Sequence, residues 1–110
     1  MEIKEISPVE VKAWLDSDNK NSPFLLDVRE PSEHETAKVE GFTLIPMHTV
    51  PNNLASIPDN QPIICMCHHG GRSMKVAQFL REQYSDREIY NLTGGIDAWS
   101  LAVDPSITRY

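Results

Sequence analysis

Long hydrophobic runs are missing from this chain of 110 residues. No stretch approaches the roughly 18 apolar residues of a membrane-spanning helix, so no membrane association is expected. Met1-Glu2-Ile3-Lys4-Glu5 is charged and no apolar segment follows it, so the start does not read as a secretory leader. Repeats and low-complexity tracts are absent as well. Basic residues are scarce: Lys and Arg total 10 against 16 Asp and Glu, a formal net charge of −6. That balance argues against nucleic acid or an anionic membrane as partner. It still admits a small anionic substrate, because the field at a helix N-terminus can oppose the global one. Cysteine is limited to Cys65 and Cys67, one residue apart. A bridge so short would strain the backbone, so no structural disulfide is expected, and the default reading is a reduced, cytoplasmic protein.

What remains is the composition of an ordinary globular domain, 40% hydrophobic and 24% charged. The length predicts one domain over residues 1–110, with a core formed by burying about two-thirds of the unfolded surface. Ser7-Pro8-Val9-Glu10 is a helix start, with Ser7 as cap, Pro8 at the first position and Glu10 closing a capping box. Val11, Trp14 and Leu15 then form one apolar face. Asp16 to Ser22 reads as a polar loop. Phe24 to Val28 reads as a buried, parallel strand, with Asp27, Arg29 and Glu30 at its C-terminal end. Pro31 to Glu35 is a short helical turn carrying a solvated His34. Phe42 to Pro46 is a short strand. Residues 47–61 form a loop with one turn at Pro51-Asn52-Asn53-Leu54, from which Met47 and His48 are candidates to line a site. Ile63 to Met66 is a strand, Ser73 to Tyr84 an amphipathic helix with Val76, Ala77, Leu80 and Tyr84 on one face, and Glu88 to Leu92 the last strand. Gly94-Gly95 is a tight turn leading into a short helix through Ala98, Trp99 and Leu101. The tail from about residue 104 is expected to be loosely attached. Alternating strands and helices predict an α/β fold with a mostly parallel sheet.

The chain is organised around Ile63-Ile64-Cys65-Met66-Cys67-His68-His69-Gly70-Gly71-Arg72-Ser73. An apolar strand ends at a thiol, a glycine-rich loop follows, and a helix begins. The free amides of such a loop form an anion-binding nest, and the helix adds unpaired N–H groups and the positive end of its dipole. Both favour the thiolate of Cys67. Gly70 and Gly71 are expected to permit the backbone angles that close the ring. Arg72 either fixes the loop by pairing with a carboxylate or faces an anionic substrate. Cys65 reads as a small buried hydrophobe rather than a second reactive thiol.

The run from Cys67 to Ser73 resembles the active-site loop of the rhodanese family: a cysteine, four loop residues, an arginine and a helix. Leu25-Leu26-Asp27-Val28-Arg29-Glu30 is similar to the family's upstream signature and Leu92-Thr93-Gly94-Gly95-Ile96-Asp97-Ala98-Trp99 to its downstream one. Lys38 stands where the family commonly carries a histidine. The resemblance implies a rhodanese-like fold, a five-stranded, mostly parallel sheet with helices on both faces. It implies a thiosulfate sulfurtransferase in which Cys67 carries a persulfide. His68, His69, Gly70, Gly71, Arg72 and Ser73 would bind the substrate, and Asp27 and Arg29 would support the site architecturally. The partners implied are a small anionic sulfur donor, a thiol or cyanide acceptor, and a sulfur-acceptor protein as a further option; no metal and no cofactor are expected.

Rival readings stand beside this one. On residues alone, Asp27 and Arg29 read as a surface ion pair worth about 1 kcal/mol or less. A phosphatase or arsenate reductase also uses a cysteine in an anion loop. The resembling phosphatases have five residues between cysteine and arginine, where this chain has four, so its ring is tight for a tetrahedral oxyanion. Cys65-x-Cys67-His68-His69 has metal-binding residue types, but not the spacing of common zinc sites. A persulfide carrier, or a rhodanese-like binding module for a partner protein, would share the same loop.

Overall fold

The computed structural model describes residues 2–17 and 21–110. Part of the expected loop from Asp16 to Ser22, residues 18–20, lies outside the described residues. Five strands form one sheet in the order β1-β5-β4-β2-β3, every pairing parallel: β1 Ile3–Ile6, β2 Phe24–Asp27, β3 Thr43–Leu44, β4 Ile63–Met66 and β5 Ile89–Leu92. The helices are α1 Pro8–Asp16, α2 Pro31–Thr36, α3 Gly71–Gln83 and α4 Gly95–Ala102. This is the expected α/β architecture. Among the described residues, no helix is long and apolar enough to cross a membrane.

Strand β1 is not anticipated by the sequence pattern. Lys4 and Glu5 are exposed on it, so it lacks the apolar run that identifies β2 and β4. Its backbone groups are satisfied by parallel pairing with β5, which places Ile3 beside Ile89 and Glu5 beside Asn91. An edge position tolerates this charged composition. The expected strand at 42–46 contracts to Thr43–Leu44. The segment after it forms two 3-10 turns, Met47–Asn52 and Leu54–Ser56, rather than one helical turn.

Period-two alternation divides the core between the sheet faces. On one face Leu26, Ile63, Cys65 and Ile89 pack with Val50, Ile57 and the buried stripe Val76, Ala77 and Leu80 of α3. On the other, Leu25, Ile64, Met66 and Leu92 pack with Val11, Ile96 and Trp99 of α1 and α4. Helix α1 starts with the expected capping box: Ser7 Oγ accepts from Glu10 N at 3.2 Å and Glu10 Oε1 accepts from Ser7 N at 3.0 Å. Its face is narrower than the spacing suggests. Val11 is buried, Trp14 packs edge-on against Tyr90 with ring centroids 5.4 Å apart, and Leu15 is exposed.

The tail, expected to be loosely attached, makes specific contacts. Ser100 Oγ donates to the Ile107 carbonyl at 2.6 Å, and Arg109 pairs with Asp97 at 2.8 Å. Tyr110 Oη accepts from Arg29 at 3.0 Å and donates to Glu33 at 2.8 Å. These partners lie far back along the chain, and their positions are set by the fold rather than by local composition.

Candidate active site

Strands β2 and β4 are neighbours, yet the chain leaves them in opposite directions, from β2 outward to β3 and from β4 outward to β5. The crevice beyond such a divergence is where open α/β sheets place their ligand sites. Asp27 and Arg29 lie at the end of β2 and Cys67 follows β4.

The turn after β4 is shaped by Gly70, whose φ of +115° is left-handed and disfavours a side chain. Helix α3 then begins at Gly71, two residues earlier than the sequence pattern suggests. Gly71 itself has no positive φ, and a Cβ there would meet nothing within 4 Å. Of the two glycines, Gly70 alone takes a backbone angle that glycine favours.

The loop is also held from behind. The amides of Ile96 and Asp97, at the start of α4, donate to the carbonyls of Cys67 and His68 at 2.9 and 3.2 Å. Gly94 and Gly95, with φ of +76° and +61°, form the expected turn. A Cβ on Gly95 would overlap those same two carbonyl oxygens, so close approach and backbone angle both require glycine there.

Cys67 is 1% exposed. Its sulfur receives the Gly70 amide at 3.1 Å, and the Ser73 hydroxyl lies 3.3 Å away. Burial pushes the Cys67 thiol up, but the Ser73 hydroxyl and the backbone amides of Ser73, Gly70 and His69 outweigh it, leaving its pKa below the ordinary value. Donors converging on a sheltered sulfur stabilise a thiolate. Cys65 is fully buried, and burial, with the neighbouring Cys67 charge, pushes its thiol up to about 12. Its side chain packs into the core on one face of the sheet, among Leu26, Ile63 and Ile89.

Arg72 faces a carboxylate. It forms a two-pronged ion pair with Glu33 of α2, at 2.6 and 2.9 Å. The Glu33 carboxylate also accepts from the Glu30 amide at 3.0 Å and from Tyr110, and these contacts, Arg72 foremost, lower its pKa to about 2. Glu33 and Tyr110 are absent from the sequence-derived site, because they become neighbours only through tertiary packing. Asp27 and Arg29 form a wholly buried ion pair at 2.7 Å, with 0% side-chain exposure on each, instead of the surface pair that the residues alone suggest. Arg29 continues to the Glu33 carbonyl at 3.3 Å and to Tyr110, so one network joins the end of β2, α2, the tail and α3.

His68 and His69 stack on each other with centroids 3.9 Å apart, and His68 stacks on Tyr110 at 4.0 Å. His69 is exposed, whereas His68 Nε2 is buried without a hydrogen-bond partner. His68, His69 and Asp97 bring one ligand atom each within 4.8 Å of the others, but Arg109 already engages both Asp97 oxygens, at 2.8 and 3.3 Å. Met47 lines a small apolar hollow with Val50, Pro51, Val76 and Phe79. His48 is exposed, 3.8 Å from Glu30.

The Rhodanese-like domain family model matches residues 7–102. Rhodanese-like/PpiC domain-containing protein 12, chloroplastic, of Arabidopsis thaliana is 42% identical over 90 residues, covering 78% of this chain and 30% of that protein. The chain thus spans less than a third of that relative. Thiosulfate sulfurtransferase GlpE of Pseudoalteromonas translucida is 28% identical over 109 residues, covering 99% of this chain and all of that one. The crystal structure of a rhodanese-like domain protein from Staphylococcus aureus superposes with a TM-score of 0.79 at 30% identity, covering 98% and 99% of the two chains. The loop after β4, the buried pair after β2 and the double-glycine turn before α4 therefore sit in a chain that belongs to the rhodanese-like domain family.

Proposed function

We propose that this chain is a sulfurtransferase domain that moves sulfane sulfur through a persulfide on Cys67. The observation that carries the reading is a sheltered thiol with a lowered pKa, held by the Gly70 amide and the Ser73 hydroxyl. Family membership supports rhodanese-type sulfur transfer at a coarse level; the donor and acceptor are our reading. The Cys67 thiolate attacks the outer sulfur of thiosulfate or of a persulfide. The S–S bond of the donor breaks, and sulfite or a thiolate leaves with the electron pair. Cyanide or an acceptor thiolate then attacks the outer sulfur of the Cys67 persulfide, forming thiocyanate or a new persulfide and regenerating the thiolate. The electron count closes without an external oxidant or reductant. Amides around Cys67 hold the anionic sulfur as an oxyanion hole holds oxygen. With Cys67 1% exposed, the site favours a donor with a slender terminal sulfur. Free cysteines suit a reducing compartment, and we place the protein in the cytoplasm.

The test is the intact mass after incubation with thiosulfate, followed by a reducing wash. Wild type is expected to gain one sulfur atom that reductant removes, and Cys67→Ala to gain none. No adduct on a folded protein with a free Cys67 thiol rules out thiosulfate as donor. A second reading is a persulfide carrier serving a partner protein, which uses the same loop and the same Cys67 thiol. It predicts the same adduct but no steady turnover with cyanide.

A further inference from the structure

Two donors lie against the Cys67 sulfur, and one side chain touches both. Ser73 Oγ donates to Asn91 Oδ1 at 2.5 Å, and Asn91 Nδ2 donates to the Gly70 carbonyl at 3.1 Å. Asn91 is 3% exposed, on β5, and the sheet register sets it between Glu5 of β1 and Cys65 of β4. Glu5 Oε2 accepts from Asn91 Nδ2 at 3.0 Å, and the other Glu5 oxygen is held by Thr93 Oγ1 at 2.8 Å. A carboxylate and a carbonyl only accept. Together they draw the amino end of the Asn91 amide and turn its oxygen toward Ser73.

A hydroxyl carries one hydrogen, so Ser73 donates either to Asn91 or to the sulfur. We propose that Asn91, oriented by Glu5, is a positioning residue that places both hydrogen-bond donors of Cys67. This inference rests on the reading of Cys67 as the sulfur-carrying residue. Asn91 Oδ1, 2.5 Å from Ser73 Oγ, holds the hydroxyl oxygen beside the sulfur. When the thiol proton leaves to solvent, the hydroxyl turns to the thiolate. When a second sulfur is bound and the charge moves outward to it, the hydrogen returns to Asn91. Asn91 thus keeps Ser73 poised beside the sulfur at each stage. Without it the hydroxyl is free to turn away from the sulfur toward a carbonyl of the preceding loop, and the Gly70 carbonyl loses the bond that fixes the turn. Acting through Ser73 and Gly70, Asn91 needs no contact with substrate. The charged and titratable groups around the pair are Glu5 from β1, Cys65 from β4, Arg72 of α3 with Glu33 of α2, Asp97 of α4 with Arg109, and His68 and His69 in the loop.

The test is the pH dependence of Cys67 alkylation by iodoacetamide, followed by intact mass, in wild type, Ser73→Ala, Asn91→Leu and the double variant. Buried Cys65 stays unreacted and serves as an internal control. Each single variant is expected to raise the midpoint by about one pH unit, which is about a tenfold loss of rate below it. The double variant is expected to add little to either single one, because both act on the same donor. A folded Asn91→Leu with an unchanged midpoint leaves Asn91 a purely structural role and overturns the proposal. A lowered midpoint overturns it too, since Asn91 would then only compete for the hydroxyl. Should Asn91→Leu not fold, Glu5→Leu is expected to raise the midpoint in the same direction, and no change there overturns the proposal. Alkylation needs no sulfur donor, so a failure of persulfide formation leaves this measurement standing. A wild-type Cys67 that titrates like a free thiol counts instead against its proposed role.

Discussion

At the scale of residues, the two adjacent glycines of the loop have opposite sensitivities. Gly70 sits at φ +115°, whereas Gly71 is an open helix start. Gly70→Ala is expected to cost about 1–2 kcal/mol in stability and to slow sulfur transfer at least tenfold. Gly71→Ala should leave transfer within a factor of about two. Chemical denaturation and steady-state assays on the pair check both. Cys65→Ser places a hydroxyl in a fully buried site and is expected to cost about 1–3 kcal/mol with transfer retained by the folded fraction. The candidate thiol was legible at this scale, since a strand ending in cysteine before a glycine-rich helix start has few other uses. Asn91 was not, because an asparagine inside an apolar strand carries no signal until the register sets it beside Glu5 and α3 sets Ser73 above it. Glu33 and Tyr110 were hidden for the same reason. Their partner Arg72 was visible, but its pairing with Glu33 arises only on folding.

At the scale of elements, the ends of β2 and β4 and the start of α4 form one rigid frame. The buried Asp27–Arg29 pair anchors the first of these. Removing one partner of a buried ion pair leaves the other charge uncompensated, at a cost of about 3–5 kcal/mol. Asp27→Ala is accordingly expected to lower stability by that amount, read from urea denaturation, although neither residue touches the thiol. The strands β2, β4 and β5 were legible from their apolar runs and α1 from its capping box. The exceptions are β1, with its exposed charges, the shortened β3, the two 3-10 turns after it, and the start of α3. There the positive φ at Gly70 lets the helix begin at Gly71, ahead of the first buried residue, Ser73.

At the scale of the whole molecule, a surplus of acid groups coexists with neutralised ionic pairs around the site: Arg29 with Asp27, Arg72 with Glu33, and Arg109 with Asp97. The Glu33 carboxyl is held at about 2, below its ordinary value of 4.5, by Arg72 first and by the Glu30 amide and Tyr110 after it. A carboxyl lowered by folding contributes stability that is fully present above its unfolded value and is lost as the pH falls through the folded one. Acidification from about 4.5 toward 2 should therefore release the α2–α3 link, and Glu33→Gln should remove that part of the acid-unfolding curve monitored by circular dichroism. The α/β class and the parallel sheet were legible from alternation. The place of the tail was not, because Tyr110 and Arg109 meet partners in α2 and α4 that only the finished fold brings near.

The clamp of α4 on the loop has one more consequence. The hydrogen bonds that shape the turn around Cys67 come from the main chain of residues 67–70 and 96–97 and from Asn91 and Ser73. The imidazoles of His68 and His69 contribute stacking and none of these bonds. The turn behaves as a mould cast from behind, with two removable faces in front. If Cys67 carries sulfur as proposed, variation at positions 68 and 69 is expected to change which molecules approach it while its cradle keeps its shape, so these are the positions at which to diversify the site toward new donors.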